Sequence, residues 1–121
     1  MATVGQELWI LLKASMEDII NQNHNNMQIT TVSPISRFDY YNVNNSIYHA
    51  GINQGLPRHE HTFAHTTVCV QGRIVVRKQN KEIIIGMNDN PLLLTANEWH
   101  EIEALEPNTI FINQFPKGLE E

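Results

Sequence analysis

From about residue 27 onward, short runs of apolar and β-branched residues alternate with turn-forming residues, which is the signature of short strands. Ten strands are predicted, over 28–32, 37–43, 46–52, 58–62, 65–71, 73–78, 82–87, 91–95, 99–103 and 109–115. The punctuation between them is Ser33-Pro34, Asn44-Asn45, Gly55-Leu56-Pro57, Gly72, Gln79-Asn80, Asn88-Asp89-Asn90-Pro91 and Glu106-Pro107-Asn108. Gly72 joins two strands with almost no loop, so a tight turn with positive φ is expected there. The runs Ile83-Ile84-Ile85 and Leu92-Leu93-Leu94 are apolar at every position, which predicts strands covered on both sides. One cover is the core; the other is an N-terminal helix or a second copy of the chain, so a homodimer is expected.

Ahead of the strands the period changes. Leu8, Leu11, Leu12, Met16 and Ile19 make an apolar stripe at helical spacing over residues 6–21, and Trp9 widens it. Such a helix docks on its own barrel or on a dimer mate. Lys13 alone does not give it the basic face of a membrane-surface helix. An asparagine-rich connector follows. The chain therefore divides into a helix and connector (1–26), one β domain (27–116) and a short tail (117–121). The fold class is mainly β: a small antiparallel barrel or double-stranded β-helix (jelly roll) with an N-terminal α-helix.

Composition narrows the partners. The 121 residues suffice for one core. The net charge of -5 and the lack of a basic stripe argue against nucleic acid. Arg73, Arg77, Lys78 and Lys81 lie close in sequence but read as solvated strand and turn positions. No apolar window is long enough to span a membrane, and the first residues do not resemble a signal peptide. Cys69 is the one cysteine, so no internal disulfide can form, and a cytoplasmic location is expected.

The chemistry concentrates in His59-Glu60-His61-Thr62-Phe63-Ala64-His65. In an extended strand His59 and His61 share one face with Glu60 opposite, and His65 keeps their parity. Neutral imidazole is the commonest metal ligand. One more ring from a distant strand would complete a site, and His100 is the candidate. His24 and His49 read as ordinary surface or strand-end residues. The metal ligands expected are His59, His61, His65 and His100. Glu98 shares the parity of His100 and is the candidate catalytic acid or base, with a rim carboxylate as the plainer reading. Trp99 has the opposite parity and should pack between sheets or against a partner. Phe63 could wall the pocket. Tyr40, Tyr41 and Tyr48 could each supply a hydroxyl. Cys69, between Val68 and Val70, reads as a buried, inert thiol.

With these residues placed, the chain resembles the cupin superfamily. The first cupin motif is Gly, five residues, His-x-His, three or four residues, Glu, six residues, Gly. Here His59-x-His61, His65 and Gly72 follow that spacing; His65 stands at the glutamate, and Gly55 is closer to His59 than the motif has it. In the second motif His100 stands at the histidine, while Asp89, Thr95 and Asn97 replace the glycine, proline and glycine and Ala104 the final asparagine. The resemblance covers about residues 46–115 and implies a small barrel with the metal inside, commonly dimeric. His-x-His-Thr-x-x-His also looks like the metal strand of thiol dioxygenases, cupins with a three-histidine iron site; that likeness implies Fe(II) on His59, His61 and His100 with His65 beside it.

The expected cofactor is one divalent transition metal, Fe first for an enzyme, with Ni, Zn, Cu or Mn as alternatives. With only imidazole ligands the metal keeps its double positive charge, which favours an anionic small molecule. The leading function is a metal-dependent enzyme of dioxygenase, isomerase or lyase type. The alternative is a non-catalytic, metal-loaded module that binds or senses a small ligand.

Overall fold

The computed structural model describes residues 28–119. The expected helix over 6–21, its connector and the last two residues lie outside the described residues. Ten strands run in order: β1 (Thr30–Thr31), β2 (Ser36–Tyr40), β3 (Val43–Ala50), β4 (Gln54–His59), β5 (His65–Gln71), β6 (Arg73–Lys78), β7 (Lys81–Gly86), β8 (Leu92–Leu94), β9 (His100–Ala104) and β10 (Thr109–Pro116). They form two five-stranded sheets, β1-β4-β9-β6-β7 and β2-β3-β10-β5-β8. This mainly β, double-sheet architecture is the one the strand pattern predicts. Among the described residues no helix is long and apolar enough to cross a membrane.

Side chains alternate along each strand, so one face of each sheet fills the space between them. Tyr48, Leu56, Ile74, Val76, Leu94, Ile102 and Phe111 make the core. Tyr48 stacks on Phe111 with ring centroids 4.9 Å apart. At one end the filling turns polar: His65, Thr67, His100 and Asn113 are buried there among the inward residues. Thr67 Oγ1 donates to Asn113 Oδ1 at 2.6 Å, which joins β5 to β10.

Two predicted breaks fall inside strands. Asn44 and Asn45 belong to β3, where they pair with Phe115 and Gln114 of β10. Gln114 Nε2 donates to Asn45 Oδ1 at 3.1 Å, so the strand satisfies an amide that usually favours a turn. The reversal comes earlier, at Tyr41 and Asn42, whose φ angles are 50° and 62°. Gly55-Leu56-Pro57 lies within β4, because Leu56 is buried and paired with Ile102. Gly72 does take the positive φ expected of it, 75°.

One face of each apolar run fills the core, and the cover expected on the other face, a helix or a second copy, lies outside the described residues. Ile84 and Leu93 point outward from β7 and β8 and are 57% and 54% exposed. Their neighbours face the core: Ile85 and Leu94 belong to it, and Ile83 and Leu92 pack against it.

Candidate metal centre

β4 and β9 are antiparallel partners, with Gly55 opposite Glu103, Leu56 opposite Ile102 and His59 opposite His100. Between Leu56 and His59 there are three residue steps on β4 but two on β9, so β4 carries a bulge at Pro57-Arg58. Strict alternation from the buried Leu56 would send His59 outward. The bulge turns it inward, and proline is suited to it because it has no ladder N–H to lose.

β4 ends at His59, so His61 sits in the loop to β5 rather than on the strand predicted over 58–62. That loop is pinned: the Asn97 N–H donates to the His61 carbonyl at 2.7 Å. Asn97 has φ 62°, and asparagine tolerates this left-handed conformation better than most residues.

His59, His61 and His100 converge. Each offers one nitrogen, and the three nitrogens lie within 4.8 Å of one another. Ring centroids are 4.4 Å apart for His59 and His100, 4.8 Å for His59 and His61, and 5.5 Å for His61 and His100. Two rings are set by backbone carbonyls: His59 Nδ1 donates to Pro57 O at 2.7 Å and His100 Nδ1 to Glu98 O at 3.1 Å. A carbonyl only accepts, so in both rings Nδ1 holds the proton and Nε2 the lone pair. The Nε2 atoms of all three residues are buried. This donor set could hold a divalent transition metal: three imidazoles with buried Nε2 atoms, two of them oriented by a backbone carbonyl as metal-ligating histidines are.

His65 is buried beside this group, its ring 5.0 Å from that of His61 and 5.2 Å from that of His100. Phe115 lies 4.6 Å from the His65 ring, and Phe63 stacks on His61 at 5.2 Å. Phe63 therefore does stand with the histidines. A groove of about 320 Å³, mostly apolar, lies over β5, β8 and β10, lined by Thr66, Leu93 and Gln114 among others.

The other candidates are placed as follows. Glu98 Oε1 accepts from Thr95 Oγ1 at 3.0 Å and lies 3.2 Å from Lys78 Nζ. Desolvation would raise its pKa, but the Thr95 and Lys78 contacts outweigh it and hold the carboxyl below its ordinary range. Trp99 is not packed between sheets; its ring is half-buried, with the Arg58 guanidinium 3.8 Å above it. Tyr40 and Tyr41 are exposed and Tyr48 is in the core. Cys69 is buried, and burial raises its thiol pKa, as an inert cysteine requires. Two basic residues read as solvated are not. Arg77 is held by Glu101, Glu103 and Glu82 at 3.0, 2.8 and 3.1 Å. The Lys78 side chain is 12% exposed. Sequence reasoning missed Lys78, since its neighbours in the fold are set by strand pairing.

No family model matches the chain, and no curated protein matches it. Solved structures do. KdgF from Halomonas sp. superposes with a TM-score of 0.63 at 16% identity, covering 70% of this chain and 78% of that one. A cupin superfamily protein from Desulfitobacterium hafniense gives 0.61 at 15% identity, covering 71% and 77%. A conserved protein with a double-stranded β-helix domain from Klebsiella pneumoniae gives 0.60 at 18%, covering 74% and 76%. At these identities the likeness speaks for the fold, and the fold is that of the cupins.

Proposed function

We propose that this chain, with its cupin fold, is a metal-binding protein that acts as a metal-dependent enzyme on a small anionic organic molecule. One observation carries the reading: the nitrogens of His59, His61 and His100 lie within 4.8 Å of one another at the buried end of the barrel. Three protein ligands leave an open position, as catalytic sites do and closed structural sites do not. A bound divalent metal would supply a Lewis acid whose charge no carboxylate ligand offsets, which favours an anionic substrate oxygen. Nitrogen donors suit Fe, Ni, Cu or Zn, and iron is our choice for an enzyme.

The protein groups have separable parts in this reading. The carbonyls of Pro57 and Glu98 fix the tautomer and pitch of two ligands. Phe63 and Phe115 line the cluster and keep water from that side. His65 is placed to complete the ligand set or to hydrogen-bond the substrate. Glu98, held ionised, can serve as a base but not as an acid near neutral pH. A homodimer belongs to the same reading, supported by the outward Ile84 and Leu93.

The test is the metal content of the purified protein, followed by turnover and O2 uptake of the Fe(II)-loaded protein with small carboxylates and thiols. Bound metal with turnover supports an enzyme. Bound metal with ligand-induced stabilisation and no turnover selects the binding module. No metal overturns both.

A further inference from the structure

We infer that Lys78 is an anion-binding residue of this site, so that the substrate carries a second acidic group besides the one that reaches the metal. The inference rests on the metal-binding reading and names the substrate class for it.

The argument starts from register. His59 is the Cα partner of His100, His100 of Lys78, and Lys78 of Lys81. Directly opposed residues on neighbouring strands share a face. One rung across β4, β9, β6 and β7 therefore carries two candidate ligands and then two lysines, all on the side that faces the other sheet. Strands are spaced by about 5 Å, so Lys78 stands one spacing from His100 and Lys81 two, toward the sheet edge.

The arginines around this sheet have different work. Arg58 covers Trp99, Arg73 pairs with Glu106, and Arg77 is enclosed by three carboxylates. Lys78 differs. Its side chain is largely buried, and its ammonium meets Glu98, a residue on the rim with 34% of its side chain exposed. Glu98 also accepts from Thr95. Glu98 can give up the ammonium and stay on Thr95, so a substrate carboxylate entering beside the metal would take its place on Lys78. The ligand class is a small dianion, one acidic group for the metal and one for Lys78. A carboxylate or a phosphate would satisfy the second position.

Malate and lactate test this. Both offer the same 2-hydroxycarboxylate to a metal, and malate adds one carboxylate. Titration calorimetry on Co(II)-loaded wild-type protein should show malate binding about tenfold more tightly than lactate, the worth of one charge-assisted contact. Lys78→Met should erase that difference, the two acids then binding alike; Lys78→Arg should keep most of it. Equal binding of the two acids by wild type, or a difference that survives in a folded Lys78→Met, overturns the inference while the metal reading stands. If Lys78→Met loses its β circular dichroism, Lys78→Arg decides: a folded Lys78→Arg that binds both acids equally overturns the inference, and one that prefers malate supports it. Wild type that takes up no Co(II) overturns the metal reading, and this inference with it.

Discussion

His59 and His100 face each other across β4 and β9 as register partners, their rings 4.4 Å apart and inclined at 70°. The pairing depends on the bulge at Pro57-Arg58, which reverses the parity that Leu56 would otherwise impose. The same Pro57 then accepts the Nδ1 proton of His59. One local irregularity thus aims the ring and fixes its tautomer.

Removing a ligand tests the centre directly. His100→Ala and His61→Ala should each lose the metal, with content falling to background by elemental analysis. Both variants should keep the β circular dichroism of the wild type, because neither ring belongs to the apolar core cluster. Full metal stoichiometry in His100→Ala would exclude β9 from the site.

His65 should behave differently. It lies next to the three-histidine group, not within it. His65→Ala should still fill to the same stoichiometry at saturating metal, with affinity about tenfold weaker, the size of effect that removing a supporting group has. Competition with a chromophoric chelator measures this. Loss of stoichiometry would instead make His65 a ligand.

Gly55 ties the fold to the site. A Cβ there would run into the Ile102 carbonyl of the paired strand, and backbone cannot step aside as a flexible side chain can. Gly55→Ala should destabilise the protein by about 2–3 kcal/mol in urea unfolding. Because β4 carries His59 opposite His100, metal affinity should fall with it. An unchanged urea midpoint would mean that β4 and β9 are less closely paired than the register indicates.

Much of this was legible in the sequence, and the limits have physical causes. The ten strands and the Gly72 turn follow from local pattern, and two strands, β5 and β6, fall where the pattern puts them. Asn44 and Asn45 look like a break because asparagine favours turns, yet pairing with β10 across some seventy residues overrides that preference. The convergence of His59, His61 and His100 was readable from motif spacing, although strand parity is not its cause, since His61 comes from the loop after β4. The bulge that makes it work was not, because bulges appear only when two strands are aligned. Lys78 is the clearest case. Nothing near it in sequence marks it as inward, and its neighbour His100 is reached only through β6–β9 pairing.

Arg77 offers a stability test away from the centre. Its guanidinium meets Glu101 and Glu103, which have side-chain exposures of 17% and 10%. Burial alone would lower its pKa; the hydrogen bonds it donates to Glu103 and Glu101 outweigh that and raise it. Arg77→Met would leave two sheltered carboxylates side by side on β9 without their cation. A loss of about 1–2 kcal/mol is expected, less than for a fully buried pair because Arg77 is itself 23% exposed. Chemical denaturation at neutral pH checks it, and no loss would mean that solvent already screens the cluster.

Cys69 gives a prediction with a definite sign in pH. Burial lifts its thiol above the ordinary value of 9.0, the Gln71 backbone contact opposes this in part, and Glu106 and Asp89 add to the rise. Sγ lies 3.3 Å from Gln71 O and 3.4 Å from Gly72 O, so the neutral S–H is the form that is held. At pH 8 the folded protein should react with a disulfide reagent at least about tenfold more slowly than a free thiol, and in urea it should react fully. The linkage runs the same way. Below 9.0 both states hold the proton and Cys69 adds no slope. Above it the unfolded chain loses the proton first, so folding stability falls with rising pH until the native thiol also ionises. Cys69→Ala should remove that part of the alkaline slope in urea unfolding between about pH 8 and pH 10. An identical slope in the variant would show that the thiol titrates alike in both states, and that the strand end near Gly72 is open to water.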